Sequence, residues 1–328
     1  MPLSQWGEAQ QELVREAAND KLGGKASWAK VLYKRVKALA DFTNRPLLVY
    51  ASACTTPLKQ LPPGALQIDF SDKIGFAEIT EHLSAAPVDL MLHSPGGFPE
   101  AAEGIVESLR AKFPHIRFIV PSFAKSAATM MTMSADEILI DDDAELGPTD
   151  PQMPTANGFS PAEAIKEQFT RAQEEISKDP KRLAGWVPII QQMGPSLLVQ
   201  CDNAIDLSTT LVRQWLTRFM FKGDSDAGHK ADAIAKFLGQ HSSFKSHGRC
   251  IRLRQLQDQG LGLKISSTRA QPDLHRKIMD VYAAIDVIFA STGAFKIFFN
   301  SKEDSLLRAL QQFGLPPGIV QSPSDPQK

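Results

Sequence analysis

Apolar positions fall along this chain in two textures. Toward the ends they recur at helical spacing, and in the middle they bunch into short runs bounded by turn residues. Residues 4–42 read as helical, with Gly23-Gly24 interrupting. The second amphipathic run, Ser27 to Ala40, sets Trp28, Val31, Leu32, Val36 and Leu39 at helical spacing. Pro46 to Tyr50 then reads as a first buried strand, and Thr55 to Gly64 as a proline-rich loop. From there the order is regular: a short helix from Phe76 to Leu83, a strand over Val88–His93, a helix over Pro99–Phe113, a strand over Ile116–Val120, a helix over Lys125–Ala135 and a strand over Glu137–Ile140. This alternation predicts parallel strands joined by right-handed crossovers. Residues 141–158 read as a loop, and 160–178, 204–222, 225–240 and 273–291 as helices, with short strands at 263–265 and 295–299.

Composition narrows the class without naming a chemistry. The chain has 328 residues, 43% apolar and 22% charged, which suits a soluble globular protein with a sizeable core. A net charge of −1 supplies no field of one sign to draw it to nucleic acid or an anionic membrane. Its three cysteines, Cys54, Cys201 and Cys250, are scattered, so neither a disulfide framework nor a metal site is expected. No signal-peptide pattern or 18-residue apolar run is present, and the expected location is the cytoplasm, with peripheral membrane contact left open.

Two turns carry the candidate chemistry. Ser94-Pro95-Gly96-Gly97 follows a buried strand and opens a helix, and its glycine pair lets backbone approach a ligand. Ala124-Lys125-Ser126-Ala127-Ala128 follows the next buried strand and presents a serine hydroxyl at a helix N-terminus among small residues. In a parallel sheet both turns open on the same edge, where the N–H groups of Gly97 and Ala127 can form an oxyanion hole over Ser126.

The runs LMLHSPGG and IVPSFAKSAATMMTMSADEILIDDDAELGPTDPQ resemble the serine dehydrogenase proteinase family, which is grouped with signal peptide peptidase A and ClpP in the ClpP/crotonase fold. The likeness is specific over residues 86–153 and fainter around His247-Gly248-Arg249 and Gly260 to Leu263. It implies an α/β, ClpP/crotonase-like parallel β-sheet with helical additions at both ends, Ser126 as nucleophile and Gly97 and Ala127 as oxyanion donors. Gly96, Ala128 and Asp150 are expected to line the site, and no cofactor is implied. The substrate would be a peptide or protein, and the assembly a homo-oligomer. ClpP carries its catalytic histidine in the loop after the Glu137–Ile140 strand, where this chain reads LGPTDPQ, so the resemblance points to a lysine general base. Lys166 is the expected base, with Lys178, Lys181 and His247 as alternatives and Lys125 read as a surface or interface charge. His93 reads as buried and structural, Asp141-Asp142-Asp143 as an exposed acidic turn, and Met130, Met131 and Met133 as packing.

The expected organisation is a helical segment over 1–43, a nucleophile-bearing core over 44–200, a mainly helical part over 201–312 and a flexible tail over 313–328. The expected activity is peptide hydrolysis through an acyl-enzyme on Ser126. The alternatives are a non-catalytic scaffold and a crotonase-like acyl-CoA enzyme.

Overall fold

The computed structural model describes residues 4–19, 27–56, 61–62, 64–155, 158–258, 260 and 262–310. The Gly23-Gly24 break, Pro57, Pro63 and the expected flexible tail lie outside the described residues. Helices α1 (Gln5–Asn19) and α2 (Ser27–Thr43) come first. Then follow β1 (Leu47–Ser52), α3 (Asp72–Thr80), β2 (Val88–His93), α4 (Pro99–Lys112), β3 (Ile116–Val120), β4 (Phe123–Ala124), α5 (Ala127–Thr132) and β5 (Glu137–Ile140). A pair of short strands, β6 (Glu145–Leu146) and β7 (Gln152–Thr155), leads to β8 (Gly158–Pro161). Helices α6 (Ala162–Lys178), α7 (Leu183–Ile190), α8 (Leu197–Arg218), α9 (Ala227–Gly239), α10 (His241–Phe244) and α11 (Leu253–Asp258) come next. The described chain closes with β9 (Ile265–Ser267), α12 (Pro272–Ser291), β10 (Ala294–Asn300) and β11 (Ser305–Ala309).

The seven-stranded sheet has the order β11-β10-β1-β2-β3-β5-β9. Its pairs from β1 to β9 are parallel, and β10 and β11 add on antiparallel at the other edge. β1 and β2 are buried along their whole length, which is why they read as nearly continuous apolar runs rather than as alternation. Successive residues still point to opposite faces. Leu48 and Tyr50 join the core under α3, α4, α5, α8 and α9, while Leu47, Val49 and Ala51 join the core under α1, α2 and α12. The α/β fold expected from the residue pattern is the one observed.

Several boundaries differ, each for a physical reason. Helix α3 starts at Asp72, four residues before Phe76, because the Asp72 carboxylate is held by Lys296 and the Tyr50 hydroxyl. Helix α5 starts only at Ala127, because Phe123-Ala124 pairs with Glu145-Leu146 and keeps the preceding backbone extended. The expected 141–158 loop runs into the β7–β8 hairpin, which also takes up residues 159–161 and delays α6 to Ala162, and Leu183–Ile190 forms a helix that the pattern did not predict. The segment expected to be mainly helical beyond residue 200 supplies β9, β10 and β11, so residue 200 does not divide the sheet. No described helix is long and apolar enough to cross a membrane.

Candidate active site

The two turns singled out in the sequence are stitched together by backbone. The Ser94 N–H donates to Phe123 O at 3.0 Å and the Lys125 N–H to Ser94 O at 3.1 Å, a parallel bridge between Ser94 and Ala124. The approach is close enough to demand glycine. A Cβ at Gly96, where φ is +91°, would lie 2.4 Å from Lys125 O and 2.7 Å from Ser126 Cβ. Ser126 itself sits at φ 52°, ψ −123°, as the residue capping α5. An L-residue occupies such backbone at a cost of about 1–3 kcal/mol. The strained strand-to-helix turn lifts a serine hydroxyl above the sheet edge. Ser126 is half-buried, and its small neighbours Ala127 and Ala128 are buried. Among the described residues neither the Gly97 nor the Ala127 N–H finds an acceptor.

A cleft of about 560 Å³ opens over these groups. Ser126, Gly97 and Ala127 line it together with Asp150 and His247, and Phe98, Met130, Met153, Phe159 and Leu207 supply apolar walls. Gly96 lies buried behind the turn, and Ala128 faces the core rather than the cleft.

Asp150 is the electrostatic centre of the cleft. Its side chain is about 1% exposed, with His247 Nδ1 2.7 Å from Oδ1 and His241 Nδ1 3.0 Å from Oδ2. Gln152 Nε2 donates to Oδ2 at 3.0 Å. The backbone before it is pinned on both sides: Thr149 N–H donates to Leu238 O at 2.8 Å, and Ser208 Oγ donates to Thr149 O at 2.8 Å. Leu146 pairs with Ile251, and Thr129 Oγ1 accepts the Gly147 N–H at 2.9 Å while donating to Ala124 O at 2.7 Å. One threonine thus ties the serine turn to the aspartate loop. A carboxylate at Nδ1 places the imidazole proton there, which leaves Nε2 of the neutral ring as an acceptor.

The lysines expected to act as base are elsewhere. Lys166 is half-exposed on α6 and forms an ion pair with Asp202. Its hydrogen bond to Asp202 raises its pKa, the reverse of what a neutral lysine base requires, and it does not line the cleft. The expectation for Lys166 is therefore corrected. Lys178 and Lys181 are exposed. Lys125 is not a surface charge: it is buried, 3.0 Å from Glu145 Oε2, 3.3 Å from Arg249 O and near the Cys250 thiol. Nor is Asp141-Asp142-Asp143 wholly exposed, since Asp141 is buried and clamped by the Arg269 guanidinium at 3.0 and 3.1 Å. His93 is buried beside Tyr282 and Phe123, as expected, and burial lowers its pKa to about 4. Sequence reasoning missed His241 and the anchoring Ser208. The one available signal was two histidines within HSSFKSH, read there as a single candidate.

Fold and cleft define the class: an α/β protein with a strained serine, two N–H groups that find no acceptor among the described residues, and a histidine–aspartate pair over the carboxyl edge of a parallel sheet. Residues 65–193 match the family described as ClpP-like SDH-type serine proteinase, which supports a ClpP-like fold and, at the level of the family, a serine peptidase. The match includes Gly97, Ser126 and Asp150 and ends before His241 and His247. Two uncharacterized proteins of Methanocaldococcus jannaschii are 37% identical over 93 residues and 41% identical over 92, covering 28% and 27% of this chain. The chain spans 30% and 31% of the length of these curated relatives. Among solved structures, a variant of a membrane-bound stomatin-specific protease aligns with 64% of this chain and 79% of its own, at 14% identity and a TM-score of 0.36. A ClpP1 variant from Listeria monocytogenes aligns with 62% of this chain and 89% of its own, at 13% identity and a TM-score of 0.33.

Proposed function

We propose that this chain is a serine peptidase in which Ser126, His247 and Asp150 form the catalytic set and the N–H groups of Gly97 and Ala127 form the oxyanion hole. The observation that carries the reading is the shared cleft: Ser126 and His247 line the same cavity, and His247 lies 2.7 Å from a buried carboxylate. Ser126 Oγ attacks the substrate carbonyl carbon while His247 Nε2 takes the hydroxyl proton. Asp150 keeps the Nδ1 proton in place and offsets the imidazolium charge. The tetrahedral oxygen is stabilised by the two N–H groups, and a donor of this kind contributes about 10²–10³ in rate. His247 then returns the proton to the leaving amine. Water repeats the sequence on the acyl-enzyme and releases Ser126. The apolar walls favour an apolar substrate side chain next to the scissile bond. The homo-oligomer expected from the resemblance is retained in this reading, with Leu183 and Ile189 of α7 exposed for such a contact.

Fluorophosphonate labelling with mass-spectrometric mapping tests the assignment. Wild type is expected to label at Ser126, Ser126→Ala not to label, His247→Ala to label at least about 100-fold more slowly, and Lys166→Ala to label within about threefold of wild type. A folded wild type that does not label removes the peptidase reading. Loss of labelling in Lys166→Ala with retention in His247→Ala would return the lysine as base.

A further inference from the structure

Lys296 lies on β10, the antiparallel strand beside β1, and is fully buried. Its ammonium donates to Gln67 O at 2.6 Å, Asp69 Oδ2 at 3.1 Å and the Asp72 carboxylate at 2.8 and 2.9 Å. Tyr50 Oη adds a 2.8 Å bond to Asp72, and the Asp69 N–H another at 3.1 Å. A buried ammonium is costly unless every donor is satisfied, so the carbonyl of Gln67 and the two carboxylates are held where Lys296 needs them.

The residue after Gln67 is the link to chemistry. Ile68 N–H donates to Gly96 O at 2.7 Å, and Ile68 O accepts the Phe98 N–H at 2.9 Å. Gly96 C=O and Gly97 N–H belong to one planar trans peptide, so they point in opposite directions. Holding Gly96 O against Ile68 therefore turns the Gly97 N–H away from Ile68, on the side where the cleft lies. The contact leaves no slack, since a Cβ on Gly97 would lie 2.3 Å from Ile68 O and 2.4 Å from Ile68 N.

We propose that Lys296, with Asp72, is a positioning residue for the oxyanion hole, acting through Gln67 and Ile68 on the Gly97 peptide. This rests on the serine-peptidase reading above. The control is another buried ion pair on the same sheet: Arg117 and the fully buried Asp89 join β3 to β2 at 2.7 and 2.9 Å, near the strand ends opposite the cleft.

The test compares the full chain carrying Lys296→Met with Asp72→Asn against Arg117→Met with Asp89→Asn, since paired neutral replacements leave neither partner as an uncompensated buried charge. The readouts are kcat and KM on a chromogenic peptide and inhibition by a peptide boronic acid, whose tetrahedral adduct on serine places an oxygen where the oxyanion forms. The Lys296 pair is expected to lower kcat by about 10- to 100-fold, leave KM within about threefold and weaken boronate inhibition by the same factor as kcat. The control pair is expected to stay within about threefold on all three at a temperature where both variants are folded. Asp69→Asn, at the solvent edge of the same network, is expected to show the same pattern at about three- to tenfold, which covers failure of the double variant to fold. A folded Lys296 pair with kcat and boronate affinity unchanged overturns the inference alone, as does an equal loss in the control pair. A wild type with neither turnover nor a boronate adduct overturns the peptidase reading and the inference with it.

Discussion

Asp150 engages two imidazoles through opposite oxygens, and the two histidines are not equivalent. His247 lines the cleft with Ser126, whereas His241 is set behind the carboxylate. His247→Ala is therefore expected to lower kcat by about 10³–10⁴, and His241→Ala by about 3- to 30-fold, because only the orientation of Asp150 relaxes. Steady-state kinetics on the two variants decide this, and equal losses would mean that His241 shares the base role. A second residue-scale prediction concerns His93. Burial lowers its folded pKa from 6.5 to about 4. Below pH 6.5 the unfolded chain binds the proton first, so stability falls as pH drops through the window from 6.5 to 4, and is unaffected above it. At pH 5 the contribution is about 2 kcal/mol, from about 1.4 kcal/mol per pH unit. His93→Gln is expected to flatten the dependence of denaturation midpoint on pH between 4 and 6.5. An unchanged slope would assign the acid sensitivity to other groups.

At the scale of elements, the site depends on two turns that share one close contact. Gly96→Ala places a methyl against Lys125 O and Ser126 Cβ at a positive φ, and neither neighbour is the free end of a flexible side chain. The variant is expected to lose more than about 100-fold in kcat and about 2–3 kcal/mol in stability, read by kinetics and denaturant unfolding. A variant with near-wild-type turnover would show that the turn can open without disturbing Ser126. This turn was legible in the sequence because its requirements are local: a glycine pair after one buried run, and a serine among alanines after the next. The parallel strands were legible for a related reason, since burial on both faces makes Val88–His93 and Ile116–Val120 nearly continuous apolar runs. The hairpin at Gln152–Thr155 and Gly158–Pro161 was not, because Pro154 and Pro161 speak against a strand and its side chains are at most half-buried. Lys296 was equally hidden. Within Phe295–Phe299 it reads as the one polar residue of a short strand, and only the fold brings it to Gln67 and Asp72.

The whole molecule assembles its cleft from distant stretches of chain, which is why the sequence could offer His247 only as an alternative to Lys166 and could not join it to Asp150. His247 and Asp150 are 97 residues apart, and the residues around them are joined by the Leu146–Ile251 bridge and the Thr149–Leu238 bond. The apolar core beneath α5 also continues through Leu211, Trp215, Ile234 and Leu238 of α8 and α9. A change at Ser126 should therefore be felt across the core and not only along its own helix. On the proposed catalytic set, an acyl or phosphonyl group on Ser126 would occupy the cleft that His247 lines and hold the 238–251 segment against Asp150. Hydrogen exchange measured by mass spectrometry before and after phosphonylation is expected to slow in residues 94–98, 145–151 and 238–251. It should leave α1 and α2, which pack on the opposite face of the sheet, unchanged. Slowing confined to the two turns would mean that His247 does not meet the adduct, and the base would then have to be sought elsewhere along the cleft. Slowing in 238–251 that disappears in His247→Ala ties the distant segment to the chemistry through that imidazole, because the backbone bonds to Leu146 and Thr149 remain intact in the variant.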